Sequence, residues 1–298
     1  MSALQDFFKP TAQQPSQQPS LAAEPAPSPA TEQKPETEPE HADQDQQAQE
    51  PSATAIPPAD DGHNQKEVVV VYGEKGKGKT FFGLSFPGRL AVLSFDGKSY
   101  PIYKKYFRGR DIKIWDVMEQ EDSLSPERYV QSNVNIYNDI HNKVMSEVVA
   151  YKPDFVIIDG LEIMQRVCEN VMRANNNLRA FQGIAARYLW RERRLYMRYI
   201  YLASKNASNK GVIYTTYTIQ KEIIMDGEVK SRTDAPRWLD AVLYDTDTVI
   251  KVDTAGDTKN FVFTATVESS KTIFRTGETH DVSNKGVSAL TVDWGVLG

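Results

Sequence analysis

The sequence predicts an α/β protein whose mostly parallel sheet is flanked by helices and extended at the C-terminal end by antiparallel strands. Three observations predict it. Apolar segments of strand length alternate with helical segments from residue 66 to about residue 217, a glycine-rich loop follows the first strand, and residues 259–294 are β-rich with glycine turns. Strands that alternate with helices pair in parallel, because each helix returns the chain to the same edge of the sheet.

The first strand, VVVVY at 68–72, runs into the loop GEKGKGKT, which fits the phosphate-binding pattern G-x-x-x-x-G-K-[ST]. Glycine permits backbone angles that turn successive N–H groups toward a phosphate, and the N-terminus of the following helix adds partial positive charge. Lys79 brings a cation to the β- and γ-phosphates, and the Thr80 hydroxyl can ligate Mg²⁺. The flanking strand and helix disfavour a plain surface turn, so we expect ATP and Mg²⁺ here. The predicted nucleotide contacts are Gly73, Glu74, Lys75, Gly76, Lys77, Gly78, Lys79, Thr80 and Phe81.

The remaining elements follow in order along the chain. The predicted strands are 89–95, 111–117, 154–159, 211–217 and the end of 241–253; the predicted helices are 126–150 and most of 161–206; and residues 220–232 form a hairpin around Asp226-Gly227.

Two carboxylates are predicted to complete the nucleotide site. The strand DFVIIDG ends in Asp159, which we expect to hold Mg²⁺ together with Thr80. Gly160 stands where many motor ATPases have a catalytic Glu, so the catalytic carboxylate must come from elsewhere. Asp96 ends the strand after the phosphate-loop helix and is our candidate for orienting the attacking water. A simple turn aspartate is the alternative for Asp96, and Glu162 and Glu74 are the other candidate carboxylates.

Together, GEKGKGKT, LSFDG, FVIIDG and GVIYTTYTIQ resemble the RecA-like ATPases over about residues 66–253, and most closely the small phage and archaeal RecA-like proteins associated with single-strand annealing. The resemblance implies that Thr218 or Gln220 senses the γ-phosphate and that the loop 221–236 faces DNA. The candidate catalytic residues are Lys79, Asp96 and Asp159. Asp96 stands where the family has Glu, which favours slow hydrolysis, and no recombinase-type N-terminal domain is present, which argues against strand exchange.

A basic segment at 179–210 holds eight Lys or Arg and one acid. Its arginines recur at helical spacing, beside aromatic residues at 190, 196 and 201, and beside a predicted apolar face made of Phe181, Ile184, Tyr188, Leu195, Tyr199 and Leu202. Cations beside aromatic rings suit single-stranded nucleic acid, while a subunit interface in a homo-oligomer and a solvated helix face are the alternatives. The predicted hairpin adds four cations that could each contact DNA or reach into a neighbouring subunit's nucleotide site as an arginine finger: Lys221, Lys230, Arg232 and Arg237. The predicted nucleic-acid contacts are Arg187, Arg191, Arg194, Arg198, Lys221, Lys230 and Arg232.

The N-terminal segment differs in composition from the rest. Residues 1–64 hold eleven Asp or Glu against two Lys, a balance of −9, which leaves +4 for the remainder of a chain whose net charge is −5. Residues 9–64 are rich in Pro and Gln and poor in large apolar side chains, which predicts a disordered acidic tether. Ahead of it, Met1, Leu4, Phe7 and Phe8 resemble the box with which proteins dock on PCNA-like sliding clamps, although Met1 occupies the usual Gln position. The alternative is that these residues fold back on the domain.

The sequence therefore predicts four segments: a clamp-binding motif at 1–8, a tether at 9–64, an ATPase domain at 65–253 and a β-rich extension at 254–298. We expect an ATPase that acts on single-stranded DNA in replication, recombination or repair. The alternatives are an ATP-binding switch with negligible hydrolysis and a small-molecule kinase. Lone Cys168 excludes an internal disulfide, and the absence of long apolar runs or a secretory signal predicts a cytoplasmic protein, of prokaryotic, archaeal or viral origin.

Overall fold

The computed structural model describes residues 66–225, 228–237, 242, 245–256 and 261–297. Its strands are β1 (Glu67–Gly73), β2 (Leu90–Ser94), β3 (Ile112–Asp116), β4 (Phe155–Asp159), β5 (Gly211–Met225), β6 (Glu228–Pro236), β7 (Thr248–Gly256), β8 (Phe261–Ser270) and β9 (Thr279–Asp281). Its helices are α1 (Lys79–Leu84), α2 (Ser99–Tyr106), α3 (Pro126–Asp139), α4 (Met145–Tyr151), α5 (Leu161–Asn175) and α6 (Arg187–Ala207), with a π-helical segment at Ile140–Val144 and 3₁₀ turns at Gly286–Ala289 and Trp294–Val296.

The described strands form one sheet in the order β3-β2-β4-β5-β1-β7-β8-β9, and β6 pairs with β5 beyond the sheet. The pairs from β3 to β7 are parallel, whereas β8 and β9 add antiparallel pairs. One strand, β5, separates the phosphate-loop strand β1 from β4, which ends in Asp159. The predicted fold class, a mostly parallel sheet flanked by helices with C-terminal antiparallel strands, is confirmed.

Alternation along the central strands builds a core on each face of the sheet. Val68 and Val70 face α3, α5 and α6, while Val69 and Val71 face α1 and the C-terminal strands. All seven residues of β1 are buried, which explains its unbroken apolar run, since a parallel strand covered by helices has no solvated face.

Two predicted helices are interrupted. The helix predicted at 126–150 contains the π-helical segment at Ile140–Val144, and the helical stretch predicted at 161–206 is two helices separated by residues 176–186. Asn177 in this break has a positive φ of 54°, which a helix does not accommodate. The hairpin predicted at 220–232 is present as β5–β6, with Met225 paired to Glu228. The boundary predicted between 253 and 254 falls inside β7.

The apolar face predicted for α6 is wrong at five of its six residues, and only Tyr199 packs against the core. Phe181 and Ile184 precede the helix, and Tyr188, Leu195 and Leu202 are exposed. The buried face lies on the other side of the helix, with Leu189, Met197, Ile200 and Tyr201 in the core. The sequence of α6 contains two apolar stripes at helical spacing. Packing against α3 and α5 buries the stripe that was not predicted to be the apolar face.

Candidate nucleotide site and nucleic-acid surface

The phosphate loop joins β1 to α1 at the carboxyl edge of the sheet. Gly76 and Gly78 have φ values of 82° and 84°, the left-handed region that glycine favours. Gly73 is needed for another reason, because a Cβ there would lie 2.2 Å from the carbonyl oxygen of Val252. The loop is therefore fixed by its own backbone and by close approach to β7.

Lys79 makes its contacts within the loop that it follows. Its Nζ donates to the carbonyl oxygens of Gly73 and Glu74, each at 2.8 Å, and lies 4.3 Å from the centre of the Tyr217 ring. Burial lowers the pKa of Lys79 to about 8, although nearby Glu162, Asp159 and Asp96 favour its charged form. An anionic phosphate bound in the cavity would favour the protonated, charged form of Lys79.

Asp159 is buried and accepts hydrogen bonds from three hydroxyl groups. Its Oδ1 accepts from Thr80 at 3.2 Å and from Thr215 at 2.5 Å, and its Oδ2 accepts from Ser99 at 2.6 Å. Burial raises the pKa of Asp159, and the negative charge of Asp96 raises it further. Sequence reasoning missed Ser99 and Thr215, although a threonine inside the apolar strand GVIYTTY was a signal for the latter.

Thr80 and Asp159 fit Mg²⁺. A hydroxyl and a carboxylate oxygen lie together at the loop, and Mg²⁺ prefers such hard oxygen ligands. In the described part of the chain no cluster of three His, Cys, Asp or Glu side chains could hold a metal. That suits Mg²⁺ at nucleotide sites, where one or two protein ligands are completed by water and phosphate oxygens. Bound there, Mg²⁺ would neutralise charge on the β- and γ-phosphates.

Two further carboxylates line the cavity. Asp96 follows β2 at the edge that it shares with β4, and its Oδ1 accepts from the Lys98 backbone N–H at 2.9 Å. Glu162 lies in the first turn of α5 and accepts from the Thr216 hydroxyl at 3.3 Å. Burial raises the pKa of Glu162. Glu74, the third candidate carboxylate, is exposed and does not line the cavity.

The cavity at this edge has a volume of about 460 Å³, within the range of small-molecule sites. Of the predicted nucleotide contacts, Lys75, Gly76, Gly78, Lys79, Thr80 and Phe81 line it. The side chain of Lys77 turns instead to β7, with Asp253 at 2.9 Å and the Thr254 hydroxyl at 2.7 Å.

The C-terminal extension forms one wall of the cavity. A Cβ built on Gly78 would lie 3.1 Å from the Phe263 ring, so β8 packs directly on the phosphate loop. Phe261 lies 5.5 Å from Phe263 and is half exposed, and Ser283 and Asn284 complete this wall. The sequence did not reveal this role, because these residues lie some 180 positions from the loop.

The predicted γ-phosphate sensors lie away from the cavity. Gln220 is exposed on β5 where that strand pairs with β6, and Thr218 pairs with Pro236. From the same strand, Thr215 and Tyr217 line the cavity instead.

The predicted nucleic-acid residues whose side chains the structure describes are exposed. Arg187, Arg191 and Arg194 lie on the outer face of α6, and none of them pairs with a carboxylate in the described residues, whereas Arg198 pairs with Asp245 at 2.9 Å. On the β5–β6 hairpin, Lys221 and Arg237 are exposed and Arg232 pairs with Glu222 at 2.9 Å. The side chain of Lys230 lies outside the described part of the structure.

The aromatic neighbours predicted for this stripe are buried or partly buried. Tyr201 is 2% exposed and belongs to the core. Trp190 is half-buried under the Arg193 guanidinium, 4.6 Å from its ring, and the Tyr196 hydroxyl donates to Glu192 at 2.8 Å. The clamp-binding residues Met1, Leu4, Phe7 and Phe8, and the tether at 9–64, lie outside the described residues and remain predictions.

No protein-family model matches the sequence, and no curated protein matches it either. Among solved structures, the fold is similar to a KaiC-like protein, PH0186, from the hyperthermophilic archaeon Pyrococcus horikoshii OT3, at 10% identity and a TM-score of 0.36. The match covers 76% of this chain and 89% of that one. No helix in the described ranges is long and apolar enough to cross a membrane.

Proposed function

We propose that this protein is an Mg²⁺-dependent ATPase that acts on single-stranded DNA in replication, recombination or repair. The observation that carries the proposal is the meeting of Lys79, Thr80 and Asp159 at one edge of a RecA-like sheet, with Asp96 at the end of the adjacent strand.

Each side chain has a separate task in hydrolysis. The loop N–H groups and Lys79 bind and orient the phosphates, and the protonated ammonium stabilises the charge that develops during transfer. Thr80 and Asp159 hold the metal. Asp96 orients a water molecule in line with the γ-phosphate and accepts its proton, for which its position at the cavity wall is suitable.

The exposed arginines on α6 support nucleic acid as the partner. Single-stranded nucleic acid is held largely by cations that follow its phosphates, and Arg187, Arg191 and Arg194 have no competing acid within the described structure. The hairpin cations Lys221 and Arg232 extend the set of candidate contacts. With a clamp motif at residues 1–8, the acidic segment would hold the enzyme near replicating DNA and raise its local concentration there.

Steady-state ATP hydrolysis with and without single-stranded DNA tests the proposal. We expect Mg²⁺-dependent turnover that DNA stimulates. No turnover in either condition, with ATP still bound, would support the second candidate, a nucleotide switch. One observation favours that candidate: Asp96 is a methylene shorter than Glu, and its Oδ2 lies 3.6 Å from the Lys98 ammonium, which competes for the carboxylate.

The clamp proposal has its own test. Clamp binding is compared by calorimetry for the full chain and for a chain that lacks residues 1–8, with Phe7→Ala and Phe8→Ala as a milder disruption. We expect binding to be lost in both. Equal affinity of the truncated and full-length proteins would exclude the motif.

A further inference from the structure

The loop at 176–186 displays a large aromatic side chain to solvent. Phe181 is 81% exposed, although phenylalanine is among the side chains most often buried. One face of its ring lies over Tyr129, with the ring centres 6.3 Å apart and the planes 15° apart. The described residues place no other ring against Phe181, so the stack can be extended by one more flat group.

A buried arginine fixes this loop. Arg173 is 7% exposed, and its guanidinium donates to the carbonyl oxygens of Arg179 at 3.0 Å and Gln182 at 2.7 Å. Glu169 accepts from the same guanidinium at 2.8 Å, so the buried charge is paired. Within the loop, the Arg179 N–H donates to the Gln182 side chain at 3.2 Å. The backbone on both sides of Phe181 is therefore held in place by hydrogen bonds to a buried arginine.

Arginines lie near Phe181, together with acids that balance part of their charge. A hollow of about 450 Å³ at its base is lined by Pro126, Glu127, Arg179, Ala180, Phe181 and Gln182. Glu127 is the one acid among these lining residues. A second cation, Arg166, lies 5.9 Å from the Tyr129 ring, although its guanidinium pairs with Glu121 at 3.1 Å. Helix α6 begins six residues after Phe181 with exposed Arg187 and Arg191, which pair with no carboxylate in the described residues. A flat apolar surface beside cations matches a nucleobase attached to a phosphate backbone.

We propose that Phe181, supported by Tyr129, is a base-stacking platform for single-stranded nucleic acid, with the phosphates on Arg179 and the first turns of α6. Stacking on an aromatic ring accepts every base and requires it to be unpaired, so the platform selects single strands over duplexes. This proposal rests on the proposed action on single-stranded DNA and names the residues that grip it.

The test is fluorescence anisotropy of labelled oligothymidylate with the full chain and its Phe181→Ala variant. One base-stacking contact corresponds to a loss of about 5-fold to 150-fold in affinity. We expect a loss in that range for the single strand and no change for a duplex. Leu124→Ala is the matched control, since Leu124 is 82% exposed and apolar but cannot stack, and it should bind as the wild type does. An oligouridylate arm distinguishes RNA from DNA.

Phe181→Trp gives a direct readout of stacking. We expect it to bind like the wild type and its added fluorescence to be quenched by the oligonucleotide, which a purely structural role would not produce. Unchanged oligonucleotide affinity of Phe181→Ala would overturn the platform. If the sedimentation coefficient of that variant also changed, the ring would be assigned to a contact between copies of the chain. A wild-type protein that binds labelled ATP but no oligonucleotide would overturn the action on DNA as well.

Discussion

The phosphate-loop edge of the sheet and the outer face of α6 both present cations to a polyanion, but only the first holds its cation in place through hydrogen bonds within the protein. At the loop, Lys79 is partly buried and held by two carbonyls, and buried Asp159 is held by three hydroxyls. On α6, Arg187, Arg191 and Arg194 are exposed and lack carboxylate partners within the described residues. The first site is fixed before its ligand arrives, whereas the second offers charge that only a partner would order.

This difference has consequences for strength and selectivity. Groups that are already oriented in a desolvated site stabilise a transition state without reorganising, so each makes a large contribution to the reaction rate. Exposed arginines interact through water and salt, so each contributes little and many are needed. The comparison predicts large single-residue effects at the loop and small ones on α6.

The largest effect is expected from Lys79→Ala. Losing the ammonium removes charge stabilisation at the phosphates, and we expect turnover to fall by about 1,000-fold, with weaker binding of labelled ATP. Lys104→Ala, an exposed lysine on α2 outside the cavity, is the matched control and should retain full activity. Activity that survived Lys79→Ala would remove the basis for the nucleotide site.

Asp96→Asn should lower turnover by about 100-fold and leave ATP affinity nearly unchanged, because the amide cannot accept the proton of water. Glu162→Gln is the comparison, since Glu162 lines the same cavity. We expect the smaller loss there. The reverse order in single-turnover hydrolysis would assign the base to Glu162 instead.

The pH dependence should separate the two regions. Burial lowers the pKa of Lys79 to about 8 in the unliganded protein, and bound phosphate would raise it. ATP affinity should therefore be full below pH 8 and fall by about tenfold per pH unit above it. Lys79→Arg should flatten this profile, and oligonucleotide affinity should stay constant over the same range because arginine keeps its charge. A flat ATP profile for the wild type would contradict the lowered pKa.

The smallest effects are expected on α6. Arg191→Gln should weaken oligonucleotide binding by about 2-fold to 5-fold and reduce the salt dependence by about one phosphate contact. Arg198→Gln should have less effect, since Asp245 already neutralises that arginine. Filter binding over a range of salt concentrations measures both. If oligonucleotide affinity depended equally on salt concentration for Arg191→Gln and the wild type, α6 would not be part of the DNA-binding surface.

Local sequence was sufficient to predict the structure where a short motif dictates the backbone conformation. The loop GEKGKGKT and the strands that end at Asp96 and Asp159 were placed correctly at one edge, because parallel strands bring their carboxyl ends together. Gln220 was predicted to contact the nucleotide, but it lies where β5 continues past the sheet into the hairpin with β6. The sequence of a strand does not show where the strand leaves the sheet.

The α/β class, the phosphate loop and the carboxylates beside it follow from the sequence alone, because they depend on short spacings and on strand–helix alternation. Tertiary packing selected the buried stripe of α6, since α3 and α5 cover one of two apolar stripes of similar period. It also brought Phe263 onto Gly78 and set Phe181 over Tyr129. Those contacts join residues far apart in the chain, and no local pattern of hydrophobicity or charge encodes them.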